Sequence, residues 1–364
     1  MTHKDILTPS TPSLGFGAMR MPDLEQTKKM VDAYMNGGYN YFDTAYVYEG
    51  SEVALNKALV QRHSRSSYMI ADKLPPWAIT KPEECINFLE ESLKRLGLDY
   101  LDFYLVHSIS DSREQHIEDM GIFEFAFEQK KRGLVKHVGL SFHGSTEYLD
   151  RVLNRHPQVE FVQLQLNYID ILRGPAGQWH NVALKHKKPI IVMEPIKGGT
   201  LANLPAPAEA LLKAQDPTRS IASWAMQYAA TLEGVTSILS GMSSLEQIND
   251  NLNTFKNLRP LTPDEMLLLE KVIVEIGKMS IIPCTACKYC HAPCPQGIDI
   301  ATCFALYNEG QRGSDNLWNR KMVYEALPEN AKAHNCTACG LCMEHCPQQI
   351  NIPAGLKEVV KTLS

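Results

Sequence analysis

The 364-residue chain has no excess of positive charge: 36 Lys and Arg stand against 41 Asp and Glu, for a net charge of −5. The pI is about 6.2. A nucleic-acid or anionic-lipid surface is therefore not expected. Long apolar runs are also missing. None approaches the roughly eighteen unbroken residues of a spanning helix, so no membrane insertion is expected. The opening stretch MTHKDILTPSTPSLGFG has no apolar core, so no signal peptide is expected. Cysteine is nearly absent from the first 283 residues, where Cys85 stands alone. That excludes a disulfide-stapled secreted scaffold and points to a reduced, cytoplasmic chain. What remains is an ordinary globular balance, 44% hydrophobic and 21% charged. The length exceeds what one core usually supports, so two domains are expected.

Nine of the ten cysteines lie in the last part of the chain. Eight of them form two copies of C-x-x-C-x-x-C-x-x-x-C-P: CTACKYCHAPCP from Cys284 and CTACGLCMEHCP from Cys336, 52 residues apart (336 − 284). Zinc sites usually pair two C-x-x-C units. Three cysteines at this spacing followed by Cys-Pro form the bacterial [4Fe–4S] run, in which the fourth cysteine ligates the other cluster. This assigns Cys284, Cys287, Cys290 and Cys346 to one cluster, and Cys336, Cys339, Cys342 and Cys294 to a second. Cys85 and Cys303 are left as ordinary thiols. Forty-one residues separate Cys294 from Cys336 (336 − 294 − 1), and DIATCFALYNEG and NRKMVYEALPENAKAH within them read as helices. The arrangement resembles the helical ferredoxin modules of electron-transfer subunits.

From about residue 38 to 260, short apolar runs alternate with amphipathic segments. The runs are YNYFDTA, SSYMIADK, LDFYLVH, VKHVGLSF, EFVQLQLN, PIIVMEP and VTSILSG. Between them lie SEVALNKALVQRH, PEECINFLEESLKRLG and FEFAFEQKKRG. The pattern predicts βαβ units and a parallel sheet, hence an α/β protein. Polar or glycine residues end nearly every run: Asp43, Lys73, His107, Ser141, Gln163 to Asn167, Glu194 and Gly241. In a (β/α)8 TIM barrel such ends meet on one rim, where active sites sit. An open dinucleotide sheet would instead want G-x-G-x-x-G after its first strand, and GFGAMR lacks that spacing. A barrel is expected, with one strand not located among the seven runs and sought between LDFYLVH and VKHVGLSF. The segment 261–280 reads as a helix capped by Thr262, Pro263 and Glu265. The expected domains are a barrel over 1–280 and a small, mainly α-helical two-cluster domain over 281–364.

Asp43, Tyr48, Lys73 and His107 at the strand ends suit proton donation to a carbonyl. A free phenol titrates near ~10, too high for efficient acid catalysis at neutral pH. A neighbouring ammonium favours the phenolate, and a carboxylate holds the ammonium in place. A histidine beside the hydroxyl orients the substrate oxygen. In these residues, in this order, the sequence resembles the aldo-keto reductase superfamily and its Asp–Tyr–Lys–His tetrad. LGFGAMRMP fits the family's amino-terminal wording. The resemblance implies that Ser141 in GLSFHG and Gln163 in VQLQLN bind a nicotinamide carboxamide, with Asn167 nearby. It also implies that Gly241, Ser243, Gln247, Asp250 and Asn251, in SILSGMSSLEQINDNL, hold the adenosine end. Trp77 either lines the substrate pocket or caps the barrel. Arg20 either reaches an anionic group or forms a rim ion pair.

Three departures from the family stand out. Phe142 and His143 follow the serine where many members have asparagine. Met193 aligns with the tyrosine that stacks on nicotinamide in many members. SGMSSLEQ offers no basic clamp for a 2′-phosphate, so NADH is expected to serve at least as well as NADPH. The expected activity is NAD(P)H-dependent reduction of a small aldehyde or ketone, or the reverse oxidation. A hydride carries two electrons and a [4Fe–4S] cluster passes one, a mismatch that a flavin normally bridges. No flavin motif is present, although a barrel can bind flavin without one. The clusters would then wire the barrel to a redox partner protein, sense redox state, or hold the tail folded. The alternative is an electron-transfer component whose barrel binds nicotinamide or flavin and whose clusters feed a partner.

Overall fold

The computed structural model describes residues 6–7, 12–312 and 317–363. The opening stretch read above for a leader lies partly outside them. The chain divides into two compact units, Met1–Pro195 with Ser223–Leu261, and Ile196–Ala222 with Thr262–Ser364.

The first unit is a closed barrel of eight parallel strands in chain order. They are β1 Ser13–Gly17, β2 Tyr41–Asp43, β3 Met69–Leu74, β4 Leu101–Ile109, β5 Val135–Phe142, β6 Phe161–Gln165, β7 Ile190–Met193 and β8 Val235–Ser240. β1 closes the ring against β8, with Leu14 opposite Ile238. The unlocated strand is thus SLGFG, ahead of the seven runs. The segment between LDFYLVH and VKHVGLSF holds the helices Glu114–Asp119 and Ile122–Lys131 instead. β1 escapes a pattern reading because its inward position is glycine. A Cβ on Gly15 would lie 2.7 Å from Leu239 Cδ2 and 3.0 Å from Tyr41 Cδ1. Neighbouring side chains fill the space that an apolar residue would announce.

The barrel interior is packed, not hollow. Tyr41, Met69, Ala71, Phe103, Leu105, Phe161, Ile191 and Leu239 form one buried cluster drawn from six strands, with Ile6 against it. Side chains alternate along a strand, so the next inward position lies two residues on. Tyr41 leads to Asp43, Ala71 to Lys73, Leu105 to His107, Phe161 to Gln163, and Ile191 to Met193. The interior layer and the strand period therefore deliver the polar residues to one rim.

In the second unit, helix Pro263–Gly277 begins as expected. Thr262 accepts from Glu265 N, and Glu265 reaches back to the cap. Arg219 pairs with buried Glu265 at 3.1 Å. The cysteine region surrounds its own core of Ile298, Phe304, Tyr307, Tyr324, Ile352, Leu356 and Val359, into which Cys290, Cys303 and Cys342 are built. Its helices are Ile300–Gln311, Leu317–Glu325 and Ile352–Leu363. The repeat is visible in the backbone. Ala286, Lys288 and Gly297 have positive φ, as do Ala338, Gly340 and Gln349, each 52 positions later. Cys294 N donates to His291 O and Cys346 N to Met343 O, both at 3.1 Å. No helix among the described residues is long and apolar enough to cross a membrane.

Candidate active site and cysteine-lined cavities

Four residues from three separate stretches of the sequence meet at the rim. Lys73 Nζ donates to Asp43 Oδ1 at 2.5 Å and to the Thr44 carbonyl at 2.6 Å. The same ammonium lies 4.9 Å from the centre of the Tyr48 ring. The Tyr48 and His107 rings meet edge to face at 5.9 Å. Lys73 is 1% exposed and Asp43 3%. A buried pair of this kind is costly to break from one side, because the survivor is left charged and desolvated. Lys73→Met is therefore expected to destabilise the barrel by about 3 kcal/mol, the low end of the range because Gln163 still bonds Asp43. Asp43→Asn combined with Lys73→Met should recover most of that loss. Urea unfolding of both variants checks this, and additive losses would show that the pair is not coupled.

Burial, then the charges of Lys73, His143 and Arg113, push His107 well below the ordinary imidazole range. The ring is neutral at physiological pH, so it can orient a carbonyl oxygen but holds no spare proton to give. His143 is pushed down to about 4, by burial and then by the Arg113 guanidinium. Trp77 packs on His107 at 5.3 Å, and Arg113 lies over the Trp77 ring at 4.6 Å. Trp77 thus sits beside the reactive group. Arg113 went unseen in the sequence. It lies in the polar stretch SISDSREQ, and only the irregular register near the end of β4, where Ser108 has a φ of 49°, brings it back towards His107.

The residues expected to hold a nicotinamide are placed as follows. Ser141 Oγ accepts from Ser108 N at 2.7 Å, which leaves the hydroxyl proton to donate. Gln163 Nε2 donates to Asp43 Oδ2 at 3.0 Å, so this amide already supports the carboxylate that holds Lys73. Asn167 caps helix Tyr168–Arg173, accepting from Ile169 N and Asp170 N. Met193 lies at the inward end of β7, packed on the interior cluster. Phe142 faces the other way, against Tyr148 and Trp179 in the helix layer. After β8, Gly241 has open space where a Cβ would be. Gln247 Oε1 accepts from Ser243 N at 2.7 Å, and Ser244 caps helix Leu245–Lys256. Asp250 lies within that helix, and Asn251, 4% exposed, donates to Ser240 Oγ at 2.9 Å. A hydroxyl donor, an open glycine and a capped helix start suit a dinucleotide.

The cysteines gather in the two expected sets. Cys284, Cys287, Cys290 and Cys346 line one cavity, with Thr285, Lys288 and Gln348 in its wall. Cys294, Cys336, Cys339 and Cys342 line another. Burial, then the neighbouring Cys287, Cys284 and Cys346 sulfurs, push the Cys290 thiol up. Burial, then chiefly Cys294 and Cys336, push Cys342 up to about 11. No group of three or more His, Cys, Asp or Glu among the described residues could hold a single metal ion. Four cysteines lining each cavity are the donor set that a cube of iron and sulfide takes. Cys85 and Cys303 are both buried free thiols outside these sets.

Residues 13–274 match the family model described as the aldo/keto reductase family. Residues 283–350 match the 4Fe-4S dicluster domain. An aldo-keto reductase of Mycolicibacterium vanbaalenii is 29% identical over 268 residues, covering 71% of this chain and 87% of the relative. The 9,11-endoperoxide prostaglandin H2 reductase of Trypanosoma cruzi is 27% identical over 271 residues, covering 72% and 87%. An aldo-keto reductase structure from Klebsiella pneumoniae in complex with NADPH has a TM-score of 0.60 at 21% identity, over 72% of this chain and 91% of that one. With the eight-stranded barrel in place and both family models matched, the chain belongs to the aldo-keto reductase family, oxidoreductases acting on carbonyl groups, and carries a C-terminal 4Fe–4S dicluster ferredoxin domain.

Proposed function

We propose that the protein reduces an aldehyde or ketone with NADH or NADPH, or runs the reverse oxidation, through Asp43, Tyr48, Lys73 and His107. The observation that carries this reading is the Lys73 ammonium bonded to the Asp43 carboxylate and 4.9 Å from the centre of the Tyr48 ring. Bound reduced nicotinamide would supply a hydride to the carbonyl carbon. Tyr48 donates the proton that the developing alkoxide needs. Lys73 favours the resulting phenolate, and Asp43 fixes Lys73. Neutral His107 hydrogen-bonds the carbonyl oxygen, and Trp77 shields it from water. Ser141 and Gln163 orient the carboxamide, with Asn167 holding the loop beside them. Met193 gives a sulfur–ring contact in place of an aromatic stack. Gly241, Ser243, Gln247, Asp250 and Asn251 form or support the adenosine pocket.

The loop Gly241–Gln247 contains Glu246 and no lysine or arginine. A 2′-phosphate finds no cation there. The KM for NADH is expected to be no higher than that for NADPH. Steady-state reduction of a carbonyl panel by the isolated, anaerobically purified protein tests the whole reading. Absence of turnover with either cofactor counts against the reductase. A hundredfold preference for NADPH counts against the cofactor assignment.

We assign two [4Fe–4S] clusters, one to Cys284, Cys287, Cys290 and Cys346, the other to Cys294, Cys336, Cys339 and Cys342. Each would accept and pass a single electron when present. We put the boundary between the two sequence modules near 280, a reading supported by family matches that end at 274 and begin at 283. A second reading, an electron-transfer component feeding a redox partner, is favoured by one observation. Cys339 is exposed, and Leu341 and Met343 beside it are 44% and 40% exposed. Reduction of an artificial one-electron acceptor by NADH, without carbonyl turnover, would select this reading. Flavin analysis of the purified protein shows whether a two-to-one-electron converter is resident.

A further inference from the structure

The two cysteine cavities are twins in backbone but not in charge. Lys288 lines the first, and its counterpart in the second, 52 positions on, is Gly340. Both are left-handed, with φ of 63° and 83°. Glycine takes that conformation freely, whereas a lysine there is held against a penalty. A second lysine approaches the first cavity from the segment that leaves β7. Lys197 is only 8% exposed, and its Nζ lies 3.5 Å from Gln348 Oε1. Gln348 lines the same cavity as Cys346, two residues before it.

The backbone here is shaped for close approach. Lys197 has a φ of 48° and Gly198 a φ of 64°. A Cβ on Gly198 would lie 2.5 Å from the Thr285 Cα, and Thr285 is part of the cavity wall. The segment Lys197–Gly198 therefore presses its main chain onto the cysteine loop and brings a buried ammonium with it. The second cavity has no lysine or arginine in its lining.

We propose that Lys197 is a positioning residue that raises the reduction potential of the cluster held by Cys284, Cys287, Cys290 and Cys346. This rests on reading the eight cysteines as cluster ligands. Reduction adds one electron and no proton to the cluster, and dithionite supplies that electron in the test below. A fixed cation nearby stabilises the added negative charge, and burial keeps water and salt from screening it. Cluster potentials respond to local charge and to hydrogen bonding around the sulfurs, which gives Lys197 and Lys288 their leverage.

The test is an EPR-monitored redox titration of the full-length, anaerobically purified protein. In Lys197→Met, one of the two midpoints should fall by a factor of about ten in its one-electron equilibrium constant, which is ~59 mV. The other midpoint should stay in place. Lys197→Arg should leave both unchanged, and Lys288→Gly should lower the same midpoint as Lys197→Met. If neither midpoint moves, if both move together, or if the two lysine variants move different midpoints, the proposal is overturned. Should the methionine variant lose iron, Lys197→Gln repeats the measurement. Wild-type protein without iron and sulfide would defeat the cluster reading itself. Clusters present with unmoved midpoints would defeat only the role of Lys197.

Discussion

Tyr48→Phe is expected to lower kcat for carbonyl reduction by about a thousandfold, the middle of the range for removing a positioned general acid. The substitution deletes one oxygen and keeps the ring. The contact with Lys73 and the edge-to-face packing on His107 both belong to that ring, so the rim should hold its shape. Nicotinamide affinity should change by less than about threefold, since a group acting on the transition state contributes little to ground-state binding. His107 cannot take over the proton. Burial and the neighbouring cations hold it neutral, so its imidazole could offer only an N–H proton far less acidic than the Tyr48 hydroxyl. Steady-state kinetics together with a fluorescence titration of NADH separate the two effects. Turnover within about tenfold of wild type would remove Tyr48 from the role of acid.

Cys290→Ser is expected to cost the protein about half of its iron or more, because one ligand of one four-cysteine set is lost. The structural consequence should be as large as the spectroscopic one. Cys290 is part of the core of its unit, with Ile298, Phe304 and Tyr307, and Cys284 and Cys346 of its set pack against that core. Where sulfurs occupy the place of apolar residues, cluster ligation becomes folding energy, about 10 kcal/mol or more by analogy with structural zinc. Helices Ile300–Gln311 and Ile352–Leu363 should then lose amide protection, while barrel strands such as β4 keep theirs. Hydrogen exchange read by mass spectrometry resolves the two regions. Full iron content, or unchanged protection of both helices, would contradict the ligand assignment. Carbonyl reduction measured on the same variant has its own meaning. If it survives, the clusters are structural or serve another reaction.

Much of the site was legible in the sequence because each of its parts obeys a local rule. Lys73 and His107 end apolar runs, and strand alternation carries a residue two places beyond an interior side chain to the rim. The cysteine spacing is local in the same way, since a short turn sets the distance between thiols three apart. β1 was not legible, because its inward face is Gly15 and its packing is supplied by Leu239 and Tyr41 from other strands. Arg113 was not legible because a polar loop gives no sign of where an irregular strand end will aim it. Gln163 shows a different limit. Its position was foreseeable, but its hydrogen bond to Asp43 joins strands 120 residues apart, and no local pattern encodes it.

The sequence by itself determined the periodicities: the strand-end residues, the capped helix at Thr262 and the two cysteine runs with their 52-residue offset. These follow from backbone geometry within a few residues. Only the tertiary structure decided the closure of β1 on β8, the neutral state of His107 and the buried ammonium of Lys197 beside the cavity of Cys284, Cys287, Cys290 and Cys346. Each of these depends on which distant groups remove water from a side chain. Burial of that kind belongs to the folded assembly of elements, and no short stretch of chain contains it.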